Sequence, residues 1–551
     1  MVDPEMPATL TINGQSAAAD PKVPLFDLAA SIGIPVPTSC RKQGKCKECI
    51  VEISEGMESL TARTEAERHL RGNFRLSCQA AIEGNGPVRC HTMRRGHMRI
   101  ERHAIGLPAH AGGRPDPTVT RDGDRILIDG EEVERSSGSS IGPIHGIAMD
   151  LGTTTVVLRL IDLETGECIA DASFENPQRF GGSDVMARIG YDGEHRGLMM
   201  RTLAGYLTHA IEDFPVDPLT IYEMVVAGNS TMRDLFFWQS VHSIGQTPYR
   251  SITEIEMQEG RRATTALTST GRRSLLPIHP RARVYGLPII SGHVGADAAA
   301  CMLAIDLAHE ERLVAIMDIG TNTELILGNR HRIVAASCPA GPAFEGGAIS
   351  CGMPALEGAI ERVAIDRDGA FHLGVVGDRA PQGICGSGLV DLMSELLRTG
   401  RMNSMGRFAD DESRIELPGG IAFLESDVNE LAQAKAANVA GLQVVIDNFG
   451  LGFGQIEVFY LGGAFGRHMS IEAAQRIGLI PRIAESRIVQ VGNAAIEGAS
   501  IALLSGSRRA ELERMVRMVE HCRLETHPDF FDFFVEGCQF KPVEAAKGAA
   551  G

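Results

Sequence analysis

Four cysteines near the N-terminus, Cys40, Cys46, Cys49 and Cys78, have the types and spacing to hold a redox metal centre. Three lie on one short loop, Ser39-Cys40-Arg41-Lys42-Gln43-Gly44-Lys45-Cys46-Lys47-Glu48-Cys49, and the fourth follows inside Arg75-Leu76-Ser77-Cys78-Gln79. Three thiolates from one loop and a fourth from a distant segment can enclose a [2Fe-2S] cluster. Gly44 lets the backbone wrap closely around the inorganic core, because glycine tolerates positive φ. A structural zinc site usually has two tight Cys pairs or a Cys/His pattern, and here the fourth cysteine has no nearby partner in the sequence. Disulfides belong to oxidising compartments, and Met1-Val2-Asp3-Pro4 opens no charged-then-apolar leader. The chemistry on offer is one-electron transfer.

A second set of residues could grip phosphate. Ala148-Met149-Asp150-Leu151-Gly152-Thr153-Thr154-Thr155 recurs as Ile316-Met317-Asp318-Ile319-Gly320-Thr321-Asn322-Thr323, each copy between two apolar runs. An Asp-x-Gly-Thr turn between strands offers consecutive backbone N–H groups as a nest for phosphate oxygens. Thr153, Thr154, Thr321 and Asn322 add polar side chains, and Asp150 and Asp318 can hold Mg²⁺, usually through its waters. A single copy would be no more than a tight hairpin; two in matching contexts imply a duplicated, two-lobed architecture. Val458 to Arg467 reads as a buried strand ending in Gly462-Gly463, where the lack of side chains would let an adenosine approach the backbone. Between the two phosphate motifs, Val226-Ala227-Gly228-Asn229-Ser230-Thr231 ends a strand, and Asn229 is a candidate polar group of the cleft.

The elements that must position these groups follow from periodicity and turn signals. Thr9 to Ile12 followed by Asn13-Gly14 predicts a strand entering a hairpin, Leu25 to Ile32 one short helix, Ile50 to Ile53 a strand and Val88 to Cys90 another. After Cys90 the texture changes to an arginine- and histidine-rich run, a Gly/Pro-rich stretch and a serine-rich stretch at 136–140, with Arg125 to Gly130 at most a small strand and turn. The expected division is 1–90 for the cysteine module, 91–143 as linker, and lobes at 144–312 and 313–545. A chain of 551 residues with 44% hydrophobic content is ample for several cores. Its formal charge of −17 and single Trp argue against nucleic acid. No run approaches the ~18 apolar residues of a membrane span; unpaired thiols together with a cluster loop suggest the reducing cytoplasm.

These motifs carry a resemblance. The element order of the first 90 residues is that of a β-grasp ferredoxin, and the five residues between Cys40 and Cys46 resemble the adrenodoxin-type loop more than the four-residue plant-type spacing. Cys90 competes with Cys78 as fourth ligand but lacks the Leu-Ser-Cys-Gln context. The two Asp-x-Gly motifs and the glycine pair occur in the order of the actin-like ATPases, whose lobes are RNase H-like. On that resemblance Gly152–Thr154 and Gly320–Asn322 are the phosphate motifs and Gly462-Gly463 the adenosine motif, for ATP with Mg²⁺. The whole combination resembles the reductive activators of corrinoid-dependent methyltransferases. Ala340-Gly341-Pro342-Ala343-Phe344-Glu345-Gly346, Gly383-Ile384-Cys385-Gly386-Ser387-Gly388 and Leu431-Ala432-Gln433-Ala434-Lys435 add to the likeness.

The resemblance implies a multidomain α/β protein that passes an electron from its cluster to Co(II) corrinoid. Its partners would be a corrinoid protein of a methyltransferase system and an unidentified electron donor, with a homodimer possible. A plant-type cluster near ~−400 mV faces an uphill transfer to such cobalt. Each ~59 mV lowers a one-electron equilibrium tenfold, so nucleotide-driven closure of the lobes is the expected source of free energy. An alternative enzyme is the activator of 2-hydroxyacyl-CoA dehydratases, which would place a bridging [4Fe-4S] ligand at Cys338, a position that also suits a small core residue. A non-catalytic, nucleotide-gated electron carrier is the other class. The remaining cysteines, Cys168, Cys301, Cys351, Cys385, Cys522 and Cys538, suit core packing.

Overall fold

The computed structural model describes residues 9–93, 115–135, 142–409, 412–463 and 469–544. The arginine run, the serine-rich stretch and the residues after Gly463 in the third motif lie outside them.

The N-terminal module is a five-stranded mixed sheet ordered Gln15–Ala18, Thr9–Ile12, Val88–Thr92, Ile50–Glu55, Phe74–Leu76. Its first hairpin turns on Asn13 and Gly14, both at positive φ (49° and 78°), the geometry a two-residue turn needs. Thr9–Ile12 runs parallel to Val88–Thr92, and the helix Leu25–Ser31 buries Leu25, Leu28 and Ala29. This is the expected β-grasp. The strand Phe74–Leu76 was not expected: three residues show no periodicity, and a buried Arg75–Glu67 ion pair (2.7 Å) holds it in place.

Between 115 and 135 the chain forms a three-stranded antiparallel meander, Val119–Asp122, Arg125–Ile128 and Glu131–Arg135. That is more structure than the single strand and turn read from the sequence. Its strands are too short to own a core; Val119, Ile126 and Ile128 instead join Ile144, Val157 and Tyr222 in the interior of the first lobe.

Two six-stranded sheets follow, and the repeat is visible in their topology. The first runs Cys168–Glu175, Thr155–Asp162, His145–Leu151, Ile221–Gly228, Arg283–Gly286, Leu267–Thr270. The second runs Arg332–Cys338, Thr323–Asn329, Val314–Asp318, Val458–Gly462, Ile488–Gly492, with Val519–His521 beside Arg332–Cys338. Each lobe thus places its third, second, first and fourth strands in the same spatial order, with a further parallel strand beyond the fourth. The lobes meet through two helices, Ala296–Ala304 and Ala494–Leu504. They approach so closely that a Cβ on Gly498 would lie 1.9 Å from the Ala300 carbonyl oxygen. The second lobe also carries the 25-residue helix Glu425–Phe449. On it Lys435 is fully buried, donates to the Gln539 carbonyl at 2.9 Å, and is pushed down to about 7 by burial. Among the described residues no helix is long and apolar enough to cross a membrane.

The cysteine module is not a free appendage. Cys49, Ile50, Leu76, Cys78 and Met93 share one core with Phe174, Phe180 and Tyr206 of the first lobe. Tyr206 Oη donates to the Glu48 carbonyl (2.6 Å) and Tyr191 Oη to that of His69 (2.7 Å).

Candidate functional sites

The cysteine loop wraps through four left-handed residues, Arg41, Lys42, Gly44 and Lys47 (φ 52–67°). At Gly44 a Cβ would sit 2.9 Å from Ala66 Cβ, so the loop closes there only with glycine. Cys78 is fixed from behind: Glu67 accepts from Arg75 Nε (2.7 Å) and from Leu76 N–H (3.0 Å), one residue pair before the ligand. Cys49 and Cys78 lie with sulfurs 3.3 Å apart, and the Cys40 and Cys46 side chains form a second pair. Burial pushes the Cys40 thiol up, but N–H donation from Cys46, Lys45 and Gln43 offsets it and pulls it down to about 7. Cys78 is pulled down to about 6, first by hydrogen bonding to Cys49 and then, against burial, by the Gln79 side chain and Gly44 N–H. Two thiol pairs ringed by N–H donors fit a two-iron centre, which needs thiolates and tunes them by hydrogen bonds to sulfur. Cys90 lies in the module's core on Val88–Thr92, pushed up to about 12 by burial, and takes no part in either pair.

The two Asp-x-Gly motifs converge on one cleft. Asp150, Gly152, Thr153, Thr154, Asn229, Asp318, Gly320, Thr321, Asn322 and Gly463 line it. Gly462 does not; its missing side chain makes room for Asp318, whose Oδ1 would lie 2.8 Å from a Cβ there. Gly463 (φ 107°) passes the Ile319 carbonyl, 2.2 Å from where a Cβ would be. The glycine pair is therefore required by strand-to-hairpin packing as well as by any approaching ligand.

The two Asp-x-Gly turns face each other and touch: Thr154 and Thr321 hydroxyls are 2.8 Å apart, and both donate to Glu345. Each motif aspartate reaches a helix of the opposite lobe. Asp150 accepts from Asn493 Nδ2 at 2.7 Å, the residue capping Ala494–Leu504. Asp318 accepts from Cys301 Sγ at 3.3 Å, on Ala296–Ala304. Asn229 caps Ser230–Phe236 through Met232 N–H and donates to Thr153 Oγ1 at 2.9 Å.

Sequence reasoning missed four members of the cleft, Asp297, Glu324, Glu345 and Asn493. Asp297 opens a helix after Gly292-His293-Val294-Gly295, and Asn493 follows Gly492 at a strand end, both visible turn-to-helix signals. Together Asp150, Asp297, Asp318, Glu324 and Glu345 put five carboxyls into one buried space. Burial, with the charges of neighbouring carboxylates added to it, pushes Asp297 and Asp318 up to about 7, and Glu324 is raised well above the usual range. A hard divalent cation with oxygen ligands fits such a donor set, because it removes the like-charge repulsion. Cys338, by contrast, is fully buried beneath Gly441, whose Cβ would lie 2.0 Å from its sulfur, which suits a core residue and not a subunit-bridging ligand.

A thiol-lined iron–sulfur module fused to a two-lobed nucleotide cleft defines the class: an ASKHA-type nucleotide-binding protein with a built-in ferredoxin. Family descriptions match the chain in three consecutive pieces. They are a 2Fe-2S iron-sulfur cluster binding domain at 10–83, the RACo middle region at 145–310, and the C-terminal ASKHA domain of RACo at 312–547. The chain belongs to the RACo family, the group its motifs resemble. It is similar to the corrinoid activation enzyme RamQ of Eubacterium limosum, 29% identical over 93% of this chain and 95% of that one. It is also similar to the [Co(II) methylated amine-specific corrinoid protein] reductase of Methanosarcina barkeri, 27% identical over 71% and 76% of the two chains. Among solved structures it is similar to a reductive activator for corrinoid, iron-sulfur protein, with a TM-score of 0.72, 26% identity and coverage of 97% and 98%.

Proposed function

We propose that this chain is an ATP-dependent reductive activator that passes one electron from its iron–sulfur module to the Co(II) corrinoid of a methyltransferase system, restoring Co(I). The observation that carries the reading is the union of the two sites: the thiol pocket and the nucleotide lobe share one hydrophobic core. The names of the relatives support the corrinoid as substrate. When bound, a [2Fe-2S] cluster supplies a one-electron store and Mg-ATP a source of free energy.

The chain's own residues have assignable tasks. Cys40, Cys46, Cys49 and Cys78 hold the cluster. The N–H groups of Gly152–Thr154 and Gly320–Asn322 cradle phosphate oxygens from the two lobes, with Asp150 and Asp318 holding the waters of Mg²⁺. Asn229 fixes the Thr153 hydroxyl, and Gly463 keeps the adenosine side of the cleft open. Because Thr154 and Thr321 touch across the lobes, a phosphate chain gripped by both turns must set the spacing of the lobes.

The test is a mixture of reduced holoprotein and Co(II) corrinoid protein, with Co(I) absorbance followed with and without Mg-ATP. The expected outcome is a larger extent of reduction with Mg-ATP, tenfold in equilibrium constant for each ~59 mV bridged. Equal extents would defeat the coupling.

A further inference from the structure

Between the first phosphate turn and the iron–sulfur module lies a strap, residues 175–182, built on the 3₁₀ helix Pro177–Gly181. Its chemistry on the turn side is specific. Asn176 donates its backbone N–H to the Thr154 carbonyl (2.7 Å) and its side-chain amide to the Gly152 carbonyl (2.8 Å). Arg188 spans the same pair of elements, giving Nη2 to the Thr153 carbonyl (2.6 Å) and Nε to that of Gly182 at the strap's end (3.0 Å). Three successive carbonyls of the phosphate turn are thus held from behind. A trans peptide is planar, with N–H opposite to C=O, so pinning the Gly152 and Thr153 carbonyls aims the N–H groups of Thr153 and Thr154 the other way.

The strap's other side grips the module. Glu175 N–H donates to the Met93 carbonyl (3.1 Å), Arg179 Nη1 lies 3.2 Å from Glu52 Oε2, and Phe180 meets the His69 ring edge-on at 5.8 Å. Glu52 is itself braced by His91 Nε2 (2.8 Å) and Asn73 Nδ2 (3.1 Å). It sits on Ile50–Glu55, the strand that begins right after Cys49 and pairs Ile50 with Leu76 and Glu52 with Phe74, just ahead of Cys78. Asn176 and Gln178 are wholly buried and Phe180 nearly so; close packing of this kind transmits displacement.

We propose that the strap 175–182 is the mechanical link between nucleotide and iron–sulfur module, with Arg179 as its positioning residue. A nucleotide that turns the peptide planes of Gly152–Thr154 must move Asn176 and Arg188. The Arg179–Glu52 pair carries that movement into the strand lying between two cluster ligands. Coupling between sites is reciprocal, so loosening the pair also alters how the module answers nucleotide. The inference rests on the reading of the cleft as an ATP site and deepens it.

The experiment is hydrogen–deuterium exchange on the full-length, cluster-loaded protein, with and without a non-hydrolysable ATP analogue. It is run on the unsubstituted chain and on Arg179→Ala, Arg179→Lys and Glu52→Gln, with analogue binding titrated in each. In the unsubstituted chain the amides of 50–55 and 74–76 should change exchange rate about fivefold on nucleotide binding, the low end of ordinary site-to-site coupling, and less than about twofold in Arg179→Ala and Glu52→Gln. Arg179→Lys should restore much of the response, which a merely structural loss would not. Should Arg179→Ala fail to fold, the near-isosteric Glu52→Gln carries the comparison. A bound analogue with no response at these strands, or a full response in both disrupted variants, overturns the link and leaves the ATP site standing. No binding of the analogue at all overturns both.

Discussion

Asp318 and Asp297 are raised to about 7 by burial, which hydrogen bonds from Cys301 and from the Ala298 N–H only partly offset, while the charges of Asp150 and Glu345 on Asp318, and of Asp150 and Asp318 on Asp297, add to the rise. The sign follows from proton linkage. A folded-state value above the unfolded value of about 3.9 means the folded state holds more protons between ~pH 4 and 7, so stability falls as pH rises through that window. His69 and His521, both pushed down to about 4 by burial, pull the other way, so the effect is isolated by substitution. Asp318→Asn in nucleotide- and Mg²⁺-free protein should lose less melting temperature between pH 5 and 8 than the unsubstituted chain, and should bind Mg-ATP more weakly; an unchanged slope would remove Asp318 from the carboxyl cluster. Cysteine identity is tested as directly. Cys78→Ser should abolish the visible charge-transfer bands and the reduced-state EPR signal, while Cys90→Ser, altering only a core thiol, should keep both.

At the level of elements, much of the design was visible in the chain because it is local. The Asn13-Gly14 hairpin, the strand Ile50–Glu55 and the twin hairpins around Gly152 and Gly320 each announce themselves by alternation and a turn glycine. What stayed hidden depends on elements meeting in space. Asn493 and Cys301 serve the aspartate of the other lobe, and no spacing along the chain records that crossing. Ala296–Ala304 and Ala494–Leu504 are rich in small apolar residues on every side, so neither presents a stripe that names its partner. Their contact yields a prediction at this scale. A methyl added at Gly498 meets the Ala300 carbonyl oxygen, so Gly498→Ala should cost about 1–3 kcal/mol, the usual penalty of overpacking. Calorimetric melting reads it. Because these helices carry Asn493 and Cys301 to the two aspartates, the nucleotide-dependent rise in melting temperature should shrink with it.

For the whole molecule, charge sets two tendencies against each other. The chain carries a formal −17, which would repel an acidic redox partner at long range. The accessible edge of the thiol pocket is locally basic. Cys49 and Cys78 are buried while Cys40 and Cys46 are partly open, so with a cluster bound an electron would leave or enter by the latter pair. Exposed Arg41 and Lys45 flank that edge, and Lys42 beside them is paired with Asp27. At low salt both fields act, since the Debye length is ~30 Å at 0.01 M; at 0.15 M it is ~8 Å, and steering by either is much reduced. If the local rim governs encounter with an acidic face of the corrinoid protein, electron transfer should slow as salt rises, and Arg41→Glu with Lys45→Glu should lower the low-salt rate about tenfold, the small end of electrostatic steering. Stopped-flow oxidation of the reduced cluster by corrinoid protein across this salt range measures it. A rate that instead climbs with salt, and is indifferent to the two reversals, would mean that the net charge of the chain and not the rim of the cluster meets the partner.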